Sequence, residues 1–180
     1  MSRIDESMEF IPVRIAVLTV SDTRSLAEDR SGDTLVARLE AAGHLLADRK
    51  IVTDDRDQIS AQLRDWIADA GVDVVISTGG TGLTGRDVSV EAHRDVYEKE
   101  IEAFGTVFTI VSMKKIGTSA VQSRATGGVA GGTYLFALPG SPGACKDAWD
   151  EILSLQLDFR HRPCNFVEIM PRLDEHQRRK

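Results

Sequence analysis

Cysteine is scarce in this chain, with only Cys145 and Cys164 among 180 residues. No C-x-x-C pair occurs, and His161 three residues before Cys164 has no second ligand pair, so neither a zinc site nor a disulfide framework is indicated. Both thiols read as small apolar filler. Basic residues are in deficit, 22 Lys and Arg against 28 Asp and Glu, for a formal net charge of −6. Apart from the closing Arg178, Arg179 and Lys180 the bases are dispersed, so the basic face that a nucleic-acid partner requires is missing. Long hydrophobic runs are missing too: the early run Ile15 to Val20 falls far short of the ~20 residues of a membrane span. The first residues carry Asp5, Glu6 and Glu9 where a secretory leader would be basic. A cytoplasmic protein without membrane contact is expected. With 42% hydrophobic and 28% charged residues, the composition is that of a soluble globular protein. No repeat, low-complexity stretch or linker divides the chain, so residues 1–180 read as one domain with an ordered core at about 10–170.

Strand and helix signals alternate. Arg14 to Val20 is a β-branched apolar run that stops at Ser21 and Asp22, the pattern of a buried strand. Ser31, Gly32 and Asp33 then precede a helix with Leu35, Leu39 and Ala42 on one face and Gly43 as its stop. Leu45 to Val52 reads as a second strand. The helix after it carries Ile59, Leu63, Trp66, Ile67 and Ala70 on one side, with Asp57 as its cap. Val72 to Ser77 is a third strand and enters T-G-G-T-G-L-T-G-R-D. Ser89 reads as the cap of a helix reaching Lys99, with Glu91 and Glu98 on its outer face. Phe104 to Ile116 fits a helical stripe. Thr133 to Leu138 is another strand, and after Ser141 the proline Pro142 opens a helix to about Leu157. The residues after Pro171 read as a loose tail. This alternation predicts an α/β fold: three layers, with a mostly parallel sheet covered by helices on both faces.

In such sheets ligands bind beyond the carboxyl ends of the strands. Four ends are candidates: Ser21 with Asp22, the acidic cluster at Asp54, the glycine loop from Thr78 to Asp87, and Pro139, Gly140 and Ser141. Gly79, Gly80, Thr81 and Gly82 would let backbone N–H groups approach an anion, and phosphate suits a rim of this kind. Asp54 and Asp87 are the carboxylates singled out to hold Mg²⁺, which takes one or two carboxylates plus phosphate oxygens; Asp55 and Asp57 read as helix caps. Gly80, Gly82 and Gly85 formally spell G-x-G-x-x-G, but the loop follows a later strand and Arg86, Asp87 and Val88 separate it from the next cap, which weakens a dinucleotide reading. Arg86 is read either as a phosphate partner or as a solvated side chain. Ser119, Ser123 and Arg124 before Gly127 and Gly128 read either as a further ligand-contact segment or as a plain loop. His44, His93, His161 and His176 are scattered and read as surface or packing residues.

Taken together, I-A-V-L-T-V-S-D at residues 15–22, S-T-G-G-T-G-L-T-G-R-D-V at 77–88 and L-P-G-S-P at 138–142 resemble the MoaB/MogA family of molybdenum cofactor biosynthesis proteins. F-I-P at 10–12 and R-P-C-N-F at 162–166 are similar to its B branch. The resemblance spans nearly the whole chain. It implies a molybdopterin-binding fold assembled into trimers or hexamers, with molybdopterin and ATP as substrates and Mg²⁺ as cofactor. In the adenylyltransferase branch, molybdopterin is adenylylated with release of pyrophosphate. By motif the family's two functional aspartates fall on Asp54 and Asp87, and both are retained. V-S-V-E-A after Asp87 departs from the common V-T-P-E-A, which loosens a helix start and removes no ligand. The alternatives are a non-catalytic molybdopterin-binding oligomer and a dinucleotide-dependent oxidoreductase.

Overall fold

A computed structural model describes residues 3–178, so the basic run expected at residues 178–180 lies largely outside the described residues. In chain order the strands are β1 (Arg3–Ile4), β2 (Arg14–Val20), β3 (Leu45–Val52), β4 (Val74–Thr78), β5 (Lys99–Glu100), β6 (Thr126–Ala130), β7 (Thr133–Leu138) and β8 (His161–Arg162). The helices are α1 (Arg30–Ala41), α2 (Arg56–Ala68), α3 (Ser89–Arg94), α4 (Glu102–Ile116), α5 (Pro142–Ala148), α6 (Ser154–Gln156), α7 (Phe166–Ile169) and α8 (Glu175–Arg178). Six strands form one mixed sheet in the order β3-β2-β4-β7-β6-β5, and β1 pairs separately with β8. From β3 to β7 the strands are parallel, while β6 and β5 add an antiparallel edge.

The alternation of side chains along a strand sorts the core into two layers. Ile15 and Val17 of β2, Val74 and Ile76 of β4, and Phe136 and Leu138 of β7 face one cluster, which includes Leu35 and Leu39 of α1 and Phe104 and Phe108 of α4. Ala16, Leu18, Val75 and Leu135 face the other, with Ile59, Leu63 and Trp66 of α2. Helices therefore cover both faces, as the sequence predicts. Because β2 lies between β3 and β4, the chain reverses its direction of travel there, which opens a crevice at the strand ends.

Several local expectations are corrected. Helix α1 starts at Arg30, capped by Asp29, whose carboxylate accepts the Gly32 N–H at 3.0 Å. Asp55 and not Asp57 caps α2, accepting from Gln58 N–H at 2.9 Å. Strand β4 begins two residues later than expected, at Val74. Ser89 is the first residue of α3 rather than its cap, because its hydroxyl donates to the Gly79 carbonyl. The helix ends at Arg94, so Lys99 lies in a strand. Glu91 and Glu98 are not simply solvated: Glu91 pairs with Arg124, and Glu98 accepts from Gly131 N–H and Gln177. Gly127 and Gly128, for which no strand is expected, belong to β6; a Cβ on Gly127 would meet the Phe136 ring at 2.9 Å, so the glycines make room for aromatic rings that cross the strand. Nor is the segment after Pro171 loose, since Leu173 packs on the larger core cluster and α8 follows it.

Candidate functional site

The carboxyl ends of β2, β3, β4 and β7 bring Ser21, Asp54, the glycine loop and Pro139 to one edge of the sheet. Gly79 and Gly80 leave β4 at φ +101 and +63, values that L side chains rarely adopt. A Cβ on Gly79 would strike the Val20 carbonyl, and one on Gly80 would lie 2.8 Å from Asp54 Oδ1. Glycine is thus required twice over, by conformation and by space. The loop is held from below by Ser89, and by the Gly79 N–H, which donates to Leu138 O at 3.0 Å. The hydroxyl of Thr78 donates to Pro139 O at 3.0 Å, and Thr81 is buried.

Of the two singled-out aspartates, Asp54 is the open one. Its N–H donates to Asp22 Oδ1 at 3.0 Å, but its half-buried carboxylate accepts no hydrogen bond among the described residues. Burial, followed by the charges of Asp22 and Asp87, raises its pKa above the usual carboxylate value. Asp22 goes the other way, lowered by the Asp54 N–H and by its ion pair with Arg86. Through that pair Arg86 bridges the glycine loop to the end of β2. Asp87 is bound into its own loop. Its Oδ2 accepts the Thr84 N–H at 2.8 Å and the Thr84 hydroxyl at 2.6 Å. Those bonds and one from the Gly82 N–H hold its pKa below normal.

These contacts narrow the expected phosphate cradle. The Gly79 N–H is engaged and Gly82 lies against the Asp87 carboxylate, whereas the N–H groups of Gly80 and Thr81 have no partner among the described residues. Ser21 and Ser141 are likewise engaged: Ser21 Oγ accepts the Thr23 and Arg24 N–H groups, and Ser141 Oγ accepts the Ala144 N–H at the start of α5. Gly140 offers its carbonyl to Arg24 Nη2 at 3.2 Å, and its α-carbon faces Gly79. The formal G-x-G-x-x-G opens no helix, since α3 starts four residues beyond Gly85; this removes the helix N-terminus on which dinucleotide recognition depends.

Sequence reasoning missed two supports of this edge, Asp29 with Arg49 and Arg24, and left the third, Arg124, open between a ligand contact and a plain loop. Asp29, fully buried, accepts from Thr19 Oγ1 at 2.7 Å and pairs with Arg49 at 2.9 Å; Arg49 and the Thr19 hydroxyl outweigh its burial and lower its pKa. Arg24 ties Ser31 to Gly140. Arg124 donates to the carbonyls of Thr81 and Gly82 and pairs with Glu91. With Ser123 it also lines a cavity of about 490 Å³ that includes Arg94, Thr106 and Thr109. Ser119 is exposed in a separate helical turn. None of the four histidines reaches the edge, though His93 is buried against Ser77 and Ser89 beneath the loop. Among the described residues no trio of His, Cys, Asp or Glu side chains is gathered to hold a metal, and no helix is long and apolar enough to cross a membrane.

The fold and edge define an open α/β protein with a glycine loop and carboxylates at the carboxyl edge of a parallel sheet. Residues 16–158 match a family model described as a probable molybdopterin binding domain. The chain is 51% identical to molybdenum cofactor biosynthesis protein B of Escherichia coli (strain K12) over 160 residues, covering 89% of this chain and 94% of the relative. It is 40% identical to the protein of the same name from Bacillus subtilis (strain 168), over 81% of this chain and 86% of the relative. A crystal structure of molybdenum cofactor biosynthesis protein B superposes with a TM-score of 0.83 at 36% identity, covering 92% of this chain and 98% of the other. That of the tungsten cofactor synthesizing protein MoaB from Pyrococcus furiosus gives 0.71 at 36% identity, covering 79% and 91%. This chain belongs to the MoaB/MogA family of molybdenum cofactor biosynthesis proteins.

Proposed function

We propose that the chain binds molybdopterin and joins its phosphate to the adenylyl group of ATP, with Mg²⁺ as cofactor and pyrophosphate as the leaving group. The observation that carries this reading is the pairing of a half-buried, unbonded carboxylate, Asp54, with the unbonded N–H groups of Gly80 and Thr81 beside it. A carboxylate raised by burial and then by like charges suits a hard divalent cation, and free loop N–H groups suit phosphate oxygens. Bound Mg²⁺ would supply charge neutralisation where two anions approach. Asp54 would hold it, and Asp87 orders the loop that presents the N–H groups. Arg86, paired with Asp22 at the same edge, would add a positive charge for a phosphate there.

A second reading, a molybdopterin-binding oligomer without catalysis, draws on the engagement of Asp87 by Thr84 and Gly82. A pyrophosphate-release assay with molybdopterin, ATP and Mg²⁺ separates the two. Asp54→Asn and Asp87→Ala are each expected to lower the rate by about two orders of magnitude, the scale of losing a preorganised electrostatic contact. A near wild-type rate in either variant would remove that aspartate from the mechanism. Molybdopterin binding by the wild type without pyrophosphate release would establish the second reading.

The proposal includes self-association into trimers or hexamers. On α4, Phe104 and Phe108 are buried, while Val107, Ile110, Met113 and Ile116 are 42–54% exposed and Val121 just beyond is 80% exposed. A helix that is apolar nearly all round is ordinarily covered on both sides.

A further inference from the structure

Arg124 precedes β6, outside the strand ends that supply the edge, yet it grips two elements there. Its Nε donates to Thr81 O at 2.9 Å and to Gly82 O at 3.1 Å, while Nη1 and Nη2 donate to the two carboxylate oxygens of Glu91 at 2.6 and 3.1 Å. In a trans peptide the carbonyl and the following N–H point in opposite directions. With the Thr81 and Gly82 carbonyls drawn to Arg124, the N–H groups of Gly82 and Leu83 point away from it. Asp87 lies against the same residue, its Oδ2 2.7 Å from where a Cβ on Gly82 would be, and it accepts the Thr84 N–H two residues on. Guanidinium and carboxylate therefore both fasten the loop around Gly82. A Gly-Thr-Gly segment has little conformational preference of its own, and a guanidinium held bidentately by Glu91 is fixed so that its Nε–H is shared between two successive carbonyls.

We propose that Arg124, aligned by Glu91 on α3, is a positioning residue that sets the peptide planes of the glycine loop, and with them the placement of Asp87 and of the open Gly80 and Thr81 N–H groups. Because Glu91 neutralises it, Arg124 is an organiser and not a phosphate-binding cation. The consequence for turnover rests on the adenylylation reading; the ordering of the loop does not.

The experiment is amide hydrogen exchange on the ¹⁵N-labelled full chain, read from Gly80 to Thr84, alongside pyrophosphate release. Arg124→Met should speed exchange at Thr84, whose N–H bonds Asp87 at 2.8 Å, by at least about tenfold, the effect of losing one hydrogen bond to a charged group. Exchange at core positions such as Leu135 should stay unchanged, and the turnover rate should fall. Arg124→Lys, which keeps the charge and one donor, should recover part of both. Glu91→Gln should loosen the loop in the wild-type background and add nothing on top of Arg124→Met. Unchanged loop exchange in Arg124→Met, or in Arg124→Lys should the first variant fail to fold, overturns the proposal, as does a Glu91→Gln effect that persists without Arg124. If the wild type releases no pyrophosphate, the adenylylation reading fails while the exchange data still decide the positioning role.

Discussion

His93 lies fully buried under the glycine loop, its Nε2 2.9 Å from Ser77 Oγ and its Nδ1 2.7 Å from Ser89 O. Burial lowers its pKa to about 4. The neutral ring is thus preferred in the fold, while the unfolded chain takes up a proton near pH 6.5. Between those values the unfolded state binds more protons, so stability is full above about pH 6.5 and falls as the pH drops towards 4, by roughly 3 kcal/mol for this group alone. Urea denaturation of wild type and His93→Gln from pH 7 to 4 checks this: the gap between the two curves should narrow as the pH falls. A constant gap would remove His93 as the titrating group. At this scale the sequence was informative wherever a residue works through its neighbours. Asp54, Gly79 and Gly80 sit in short motifs whose chemistry is local. Arg24 acts on Gly140, 116 positions away, Arg49 on Asp29, 20 positions away, and Arg124 on Thr81, 43 positions away, and no spacing rule along the chain points to such pairs.

Helix starts show how close alternatives compete. Asp29, Asp55, Ser141 and Asn165 each accept an N–H from the first turn of their helix. Ser141 followed by a proline was legible as a start; Asp55 was obscured by Asp57 two residues on, and Asp29 by the Ser31-Gly32-Asp33 run. Strand β6 was hidden for another reason, because its glycines answer to Tyr97, Phe104 and Phe136 rather than to a turn. Ser141→Ala removes the acceptor for Ala144 N–H at 3.1 Å and should cost about 1 kcal/mol. That cost should appear as a lower urea midpoint with an unchanged slope. No change would mean that Pro142 alone sets this helix start.

For the molecule as a whole, the layered plan followed from alternation of strand and helix signals, and the two-sided core from the parity of β2, β4 and β7. How the outer face of α4 is covered is a matter between molecules, on which a single chain's hydrophobic pattern is silent. Ile110→Asp places a charge at the centre of that face. Light scattering should then show the mass falling towards the 19.7 kDa of one chain, with the wild type larger. A wild type that already runs at 19.7 kDa would dismiss self-association.

The close approach of Gly140 to Gly79, with the Cβ position of one 3.0 Å from the α-carbon of the other, joins two strand-end loops along bare backbone. No side chain lies between them to act as a cushion, so a shift of either loop displaces the other. A ligand arriving at this edge meets a surface that is already set, and little of its binding free energy is spent on ordering the protein. Discrimination between ligands then falls to what the fixed surface excludes.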